Sequence, residues 1–205
     1  MLEAPPLDLP EGAVESFRAA LDGRDLSRLP ADVPIWAFLA WLAGAGWLLH
    51  GSARGDLTLF EPRTPHDLSP DEFSKRTGVF AASDGLWAMM YALCNRSHVA
   101  RMLNTAVQVR EANGGWSTTR YFLSLAPRDP GVTDGCSLLS PGFVYVLPRD
   151  GFEPMPPYEW PGLGEVREPH WISPAPVRPR SGPCSPCPSR PPTSRCRSAR
   201  TMRRG

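Results

Sequence analysis

Lysine is almost missing from this chain: Lys75 stands alone against 21 arginines. We read that skew as the mark of GC-rich coding, not as a physical demand. Acid is missing from the far end, because all 21 acidic residues lie at or before Glu168. Residues 1–173 hold 14 basic and 21 acidic groups, net −7, and residues 174–205 hold 8 basic groups and no acid, net +8. The overall charge of +1 hides this asymmetry. An acidic body does not suit nucleic acid, so only the basic end would attract polyanions, and without specificity. Cysteine is sparse, with Cys94 and Cys136 apart and Cys184, Cys187 and Cys196 near the end. An odd count behind an acidic, proline-rich start (MLEAPPLDLPEG) gives neither a disulfide framework nor a signal peptide. The expectation is a reducing, cytoplasmic setting. Cys184-Ser185-Pro186-Cys187 has zinc-ligand spacing, yet no second pair or histidine follows, so no metal is expected. Phosphate loop, nucleophile elbow and HExxH are all missing. Arg54-Gly55-Asp56 spells an adhesion tripeptide, which is read as coincidence.

Long apolar runs are limited to one. Val33–Leu49 is uncharged for 17 residues, near the lower limit of about 17–25 for a spanning helix. Gly44-Ala45-Gly46 interrupts it and a strand-like WLLHG follows, so it reads as a buried helix plus a strand, with no membrane partner. The fold class expected is α+β: N-terminal helices packed on a small split, mostly antiparallel sheet. Residues 1–10 read as a disordered leader and 11–173 as one domain. Val14, Phe17, Ala20 and Leu21 share one face of a helix over Glu11–Asp22. Pro34 suits the first turn of a second helix, reaching Ala43. Trp47–His50 reads as a buried strand, residues 51–77 as a long loop, and Val79–Ala82 as a strand. Ser83-Asp84 caps a helix from Gly85 to about Asn95. Val99–Arg110, Thr118–Leu125 and Phe143–Leu147 read as further strands, with a turn at Asn113-Gly114-Gly115.

Residues 174–205 differ in kind, with eight prolines, eight arginines, five serines and no aromatic, leucine or isoleucine. Such a segment buries too little apolar surface to fold, so it reads as a disordered tail. A native basic tail and a shifted reading frame in GC-rich DNA both account for it, the second being preferred.

Two segments carry the candidate chemistry. The first is Trp47-Leu48-Leu49-His50-Gly51-Ser52. A histidine at a strand end can donate a hydrogen bond to a ribose hydroxyl, Gly51 lets a ligand approach the backbone, and Ser52 can bond a carboxamide. The plain alternative is a satisfied strand-end histidine. The second is Gly78-Val79-Phe80-Ala81-Ala82, leading through Ser83 to Tyr91. Here the alternative is core packing, since Trp87 and Tyr91 lie four apart on one helical face.

Together these segments, about Trp47–Leu93, resemble the nicotinamide-binding half of poly(ADP-ribose) polymerase-type ADP-ribosyltransferases. In that family a G-I-Y-F-A strand leads into a helix whose tyrosine stacks on nicotinamide. The resemblance implies NAD as substrate, His50 on the ribose, and Tyr91 and Phe80 as walls for the ring, with His50 and Tyr91 facing one cleft. Gly51, Ser52 and Ser83 would complete the cofactor-binding set. It also implies a glutamate at the start of a late strand; the matching strand is GFVYVLP, and Gly142 occupies that position. Glu153 and Glu159 lie just beyond the strand, so either one substitutes or no transfer occurs; with Glu153 in that place the catalytic set expected is His50, Tyr91 and Glu153. Three readings follow: an NAD-handling transferase, a non-catalytic module for a nucleotide or ADP-ribose, and a bacterial chain without activity in this form.

Overall fold

The computed structural model describes residues 1–65 and 71–180. The Cys184–Cys187 pair and the rest of 181–205 lie outside the described residues. The architecture is α+β with two five-stranded sheets, every pairing antiparallel.

Helix α1 spans Ala13–Gly23 and buries Ala13, Phe17 and Ala20. It ends on Arg24, whose left-handed backbone (φ 52°) is the chain's single positive φ outside glycine among the described residues. Helix α2, Ile35–Gly44, starts behind Pro34 and buries Ala37, Phe38, Leu39 and Leu42. Phe17 meets Phe38 edge-on at 5.5 Å, and Trp41 lies 5.7 Å from Phe17. These contacts explain the uncharged run: α2 is buried between neighbours, and no helix among the described residues is long and apolar enough to cross a membrane. Helix α3, Gly85–Ala92, is capped by the Asp84 carboxylate on the Trp87 N–H. Gly85 lets α3 cross α2 closely, since a Cβ there would lie 2.6 Å from the Leu39 carbonyl carbon.

The first sheet is built from β1 (Leu2–Glu3), β4 (Val99–Val109), β5 (Arg120–Pro127), β8 (Tyr158–Trp160) and β9 (Gly164–Arg167). Its order is β1-β5-β4-β9-β8. The second is built from β2 (Leu48–Ser52), β3 (Val79–Ala82), β6 (Phe143–Leu147), β7 (Glu153–Pro154) and β10 (His170–Ser173). Its order is β6-β2-β3-β10-β7. Side chains alternate across this second sheet. Leu49, Ala82, Val144 and Val146 join the helices in the larger core. Leu48, Val79, Ala81, Tyr145 and Leu147 face the other way, onto Phe60 and Val177.

Two expected boundaries move. Residues 1–10 are not a free leader: Leu2 and Glu3 pair with Tyr121 and Arg120, and Leu9 packs on the helical core. Nor does the body end at 173. Val177 is buried and exchanges two backbone hydrogen bonds with Phe60, 2.8 and 2.9 Å. Arg180 donates its N–H to the Val146 carbonyl and lays its guanidinium over the Trp47 ring at 4.5 Å. The expected long loop is also partly ordered. Buried Tyr145 pins it by accepting from the Leu57 N–H at 3.0 Å and donating to the Arg54 carbonyl at 2.9 Å. Arg54 and Asp56 form a bidentate pair with each other, 3.0 and 2.8 Å.

Candidate functional site

β2 and β3 are adjacent, yet they share a single paired position, Leu49 with Ala82. Beyond it β2 stays with β6 as far as Ser52, and β3 stays with β10 as far as Val79. The sheet therefore splits between its second and third strands. The direction of the freed groups follows from the alternation of an antiparallel ladder. Val146 accepts from Arg180 on the outer edge of β6. Tyr145 and Leu147 therefore point their backbone groups at β2, where they pair with His50 and Leu48. Leu49 and Gly51 then point theirs at β3, so the Gly51 N–H and C=O open into the split.

His50 creates this arrangement. A regular ladder would give the Phe80 carbonyl the Gly51 N–H. Instead the His50 ring takes it, Nδ1 to Phe80 O at 2.6 Å. A carbonyl only accepts, so Nδ1 carries the hydrogen and the neutral ring keeps Nε2 as an acceptor. Burial holds the His50 pKa below its usual 6.5, the Phe80 carbonyl opposes this, and the Arg96 charge adds to the lowering. The ring lies 4.6 Å from Phe60, on the face away from the helices. The ribose contact expected from a donating His50 is thus available only as acceptance from a hydroxyl.

Tyr91 approaches from the opposite face. α3 lies so close over Gly51 that a Cβ there would sit 2.1 Å from the Ala88 carbonyl oxygen and 2.9 Å from the Tyr91 Cβ. His50 and Tyr91 therefore border one split from opposite faces of the sheet; their side chains do not share one face, as the transferase resemblance implied. Phe80 stands on the helical face, where His170, which the sequence did not mark, joins it to the Trp87–Tyr91 pair. His170 lies 5.0 Å from Phe80 and 5.2 Å from Trp87, and Trp87 lies 5.9 Å from Tyr91.

The remaining expected residues divide. Ser52 sits at the open end of the split, where its hydroxyl accepts from the Arg54 N–H at 3.1 Å. Ser83 lies past the Leu49–Ala82 pair, at the closed end, and its hydroxyl accepts from the Trp171 indole at 2.9 Å. It is not brought to Gly51. Glu153 lies on β7, three strands from β2 and so roughly 14 Å away. It is ion-paired with Arg76. No acid can stand at 142 either, since a Cβ there would fall 1.8 Å from the Ala92 carbonyl oxygen. The C-terminal turn of α3 fills that place. Asp84 belongs to the closed end, accepting from the Tyr121 hydroxyl at 2.6 Å.

No protein-family model, curated protein or solved structure matches this chain. Among the described residues no group of three or more His, Cys, Asp or Glu side chains converges as a metal site.

Proposed function

We propose that this protein is a non-catalytic module that binds a nucleotide carrying an aromatic carboxamide, NAD being the type ligand, at the β2–β3 split. The observation that carries the reading is the Gly51 backbone. Its N–H and C=O point toward β3 beyond the last paired position, Leu49 with Ala82, and a primary carboxamide offers the complementary acceptor and donor. Tyr91 adjoins the same glycine and gives a flat ring a stacking partner. The His50 Nε2 lone pair suits a ribose hydroxyl. Transfer chemistry is not part of the proposal. An oxocarbenium charge needs a carboxylate close by, Gly142 has no room for one, and Glu153 is engaged elsewhere.

Calorimetric titration of the full chain with nicotinamide, NAD and ADP-ribose tests this. NAD and nicotinamide should bind, and free nicotinamide should not accumulate from NAD. His50→Ala should weaken NAD about tenfold or more, the worth of one hydrogen bond, and should weaken nicotinamide as well, because the freed Phe80 carbonyl can then take the Gly51 N–H. Failure of nicotinamide and NAD to bind would remove the split as a site. Steady release of nicotinamide from NAD would restore the enzymatic reading.

A further inference from the structure

A second concave space lies at the closed end of the same two strands, away from Gly51. It is a cavity of ≈ 240 Å³ between α2, the Ser83–Gly85 turn and Tyr121, with Ala4 at its rim. Trp36, Ala40 and Leu86 give it apolar walls. Among the described residues Asp84 is the only Asp, Glu, Lys, Arg or His that lines it. The carboxylate is half-buried and takes hydrogen bonds from the Tyr121 hydroxyl at 2.6 Å and the Trp87 N–H at 2.8 Å, with the Leu86 N–H also turned toward it. The Tyr121 and Trp87 bonds use different oxygens, and a carboxylate offers about four lone-pair sites, so one remains open beside these donors. Among the described residues no cation pairs with it.

A carboxylate held partly out of water with no opposite charge is an electrostatic deficit. Burial pushes the Asp84 carboxyl upward, the direction such a deficit produces, although its hydrogen bonds from Tyr121, Trp87 and Leu86 oppose it. A neutral ligand would leave the deficit in place, and an anion would deepen it. We propose that this cavity binds a small organic cation, a primary ammonium on a short apolar body. The ammonium would make a charge-assisted hydrogen bond to Asp84. The body would lie against Leu86 and the Trp36 indole, whose face attracts cations.

The test is a titration of the full chain followed by the indole N–H resonance of Trp36. Benzylamine is the probe, with benzyl alcohol as neutral isostere and benzoate as anion. Benzylamine should bind with a dissociation constant on the order of millimolar or tighter, and the other two at least tenfold more weakly. Asp84→Asn keeps an equivalent helix cap, so the fold should persist by circular dichroism while benzylamine binding drops more than tenfold. Trp36→Leu removes the indole reporter and is read by calorimetric titration; it keeps an apolar wall and should weaken binding several-fold. The proposal is overturned by equal binding of benzylamine and benzyl alcohol, by undiminished binding to Asp84→Asn, or by no binding at all.

Discussion

His50 and Gly51 shape the split through opposite demands. His50 must stay neutral for its Nδ1–H to serve Phe80 and its Nε2 to remain an acceptor. Burial favours that state, since its pKa is lowered in the fold. The unfolded chain takes up a proton near pH 6.5 and the native one does so only at lower pH. The native state then binds fewer protons, and stability falls as pH drops from about 7 through 6 toward the native pKa. Urea unfolding at pH 5, 6 and 7 should show a steeper loss for the wild type than for His50→Gln; parallel slopes would contradict the burial argument. Gly51 is governed by space. The atom a Cβ would strike belongs to the backbone of α3 and cannot swing aside. Gly51→Ala should cost about 1–3 kcal/mol or more, read as a lower urea midpoint. The motif His50-Gly51 is legible in the sequence because both residues sit at the end of an apolar strand. The use of Nδ1 on Phe80 is not, because that contact spans 30 positions and depends on where a ladder stops.

Among elements, those carrying local signals were legible and those built by partners were not. Phe143–Leu147 and Val79–Ala82 are short apolar runs rich in β-formers, and both strands have the expected bounds. α3 starts at Gly85 because Asp84 accepts from Trp87, a cap readable from Ser83-Asp84 alone. Its end at Ala92 falls short of the expected Asn95, where the chain turns to meet the Gly135–Leu138 helical turn through the Asn95 N–H and Leu138 carbonyl. β10 was invisible. His170-Trp171-Ile172-Ser173 has no alternation strong enough to mark it, and it is a strand because β3 and β7 flank it. β7, β8 and β9 are no longer than β10. The Asp84 cap also ties α3 to the first sheet through Tyr121. Asp84→Ala should therefore cost about 1–2 kcal/mol for the cap plus about 1 kcal/mol for the lost Tyr121 bond. Asp84→Asn should recover most of this in the same urea melt. The expected acid strand gives a complementary test at Gly142. Gly142→Glu should destabilise the fold through the Ala92 carbonyl and should not confer nicotinamide release from NAD.

At the scale of the molecule, residues 174–180 act as a strap across the sheet face opposite the helices. Composition alone assigned this stretch to the tail, because Pro174-Ala175-Pro176 and Pro179 mask its one apolar residue. Val177 nevertheless covers Leu48, Val79, Ala81 and Leu147 together with Phe60. Its two backbone bonds to Phe60 anchor the first part of the 53–78 connection. Arg180 finishes the strap with its N–H on the β6 edge, its guanidinium over Trp47, and an ion pair to Asp22 at 3.6 Å. Most of its worth should come from Val177, since burying a valine side chain contributes about 1.5–3 kcal/mol whereas an exposed ion pair such as Arg180–Asp22 contributes about 0–1 kcal/mol. A chain ending at Ser173 should therefore melt lower than one ending at Arg180. With about 2–4 °C per kcal/mol at this size, the gap should be on the order of 5–10 °C. Val177→Ala in the longer chain should reproduce part of the drop, and Arg180→Ala very little. Equal melting temperatures for the two lengths would mean that the Phe60 side of the sheet holds without the strap. The split would then have to be kept open by His50 alone.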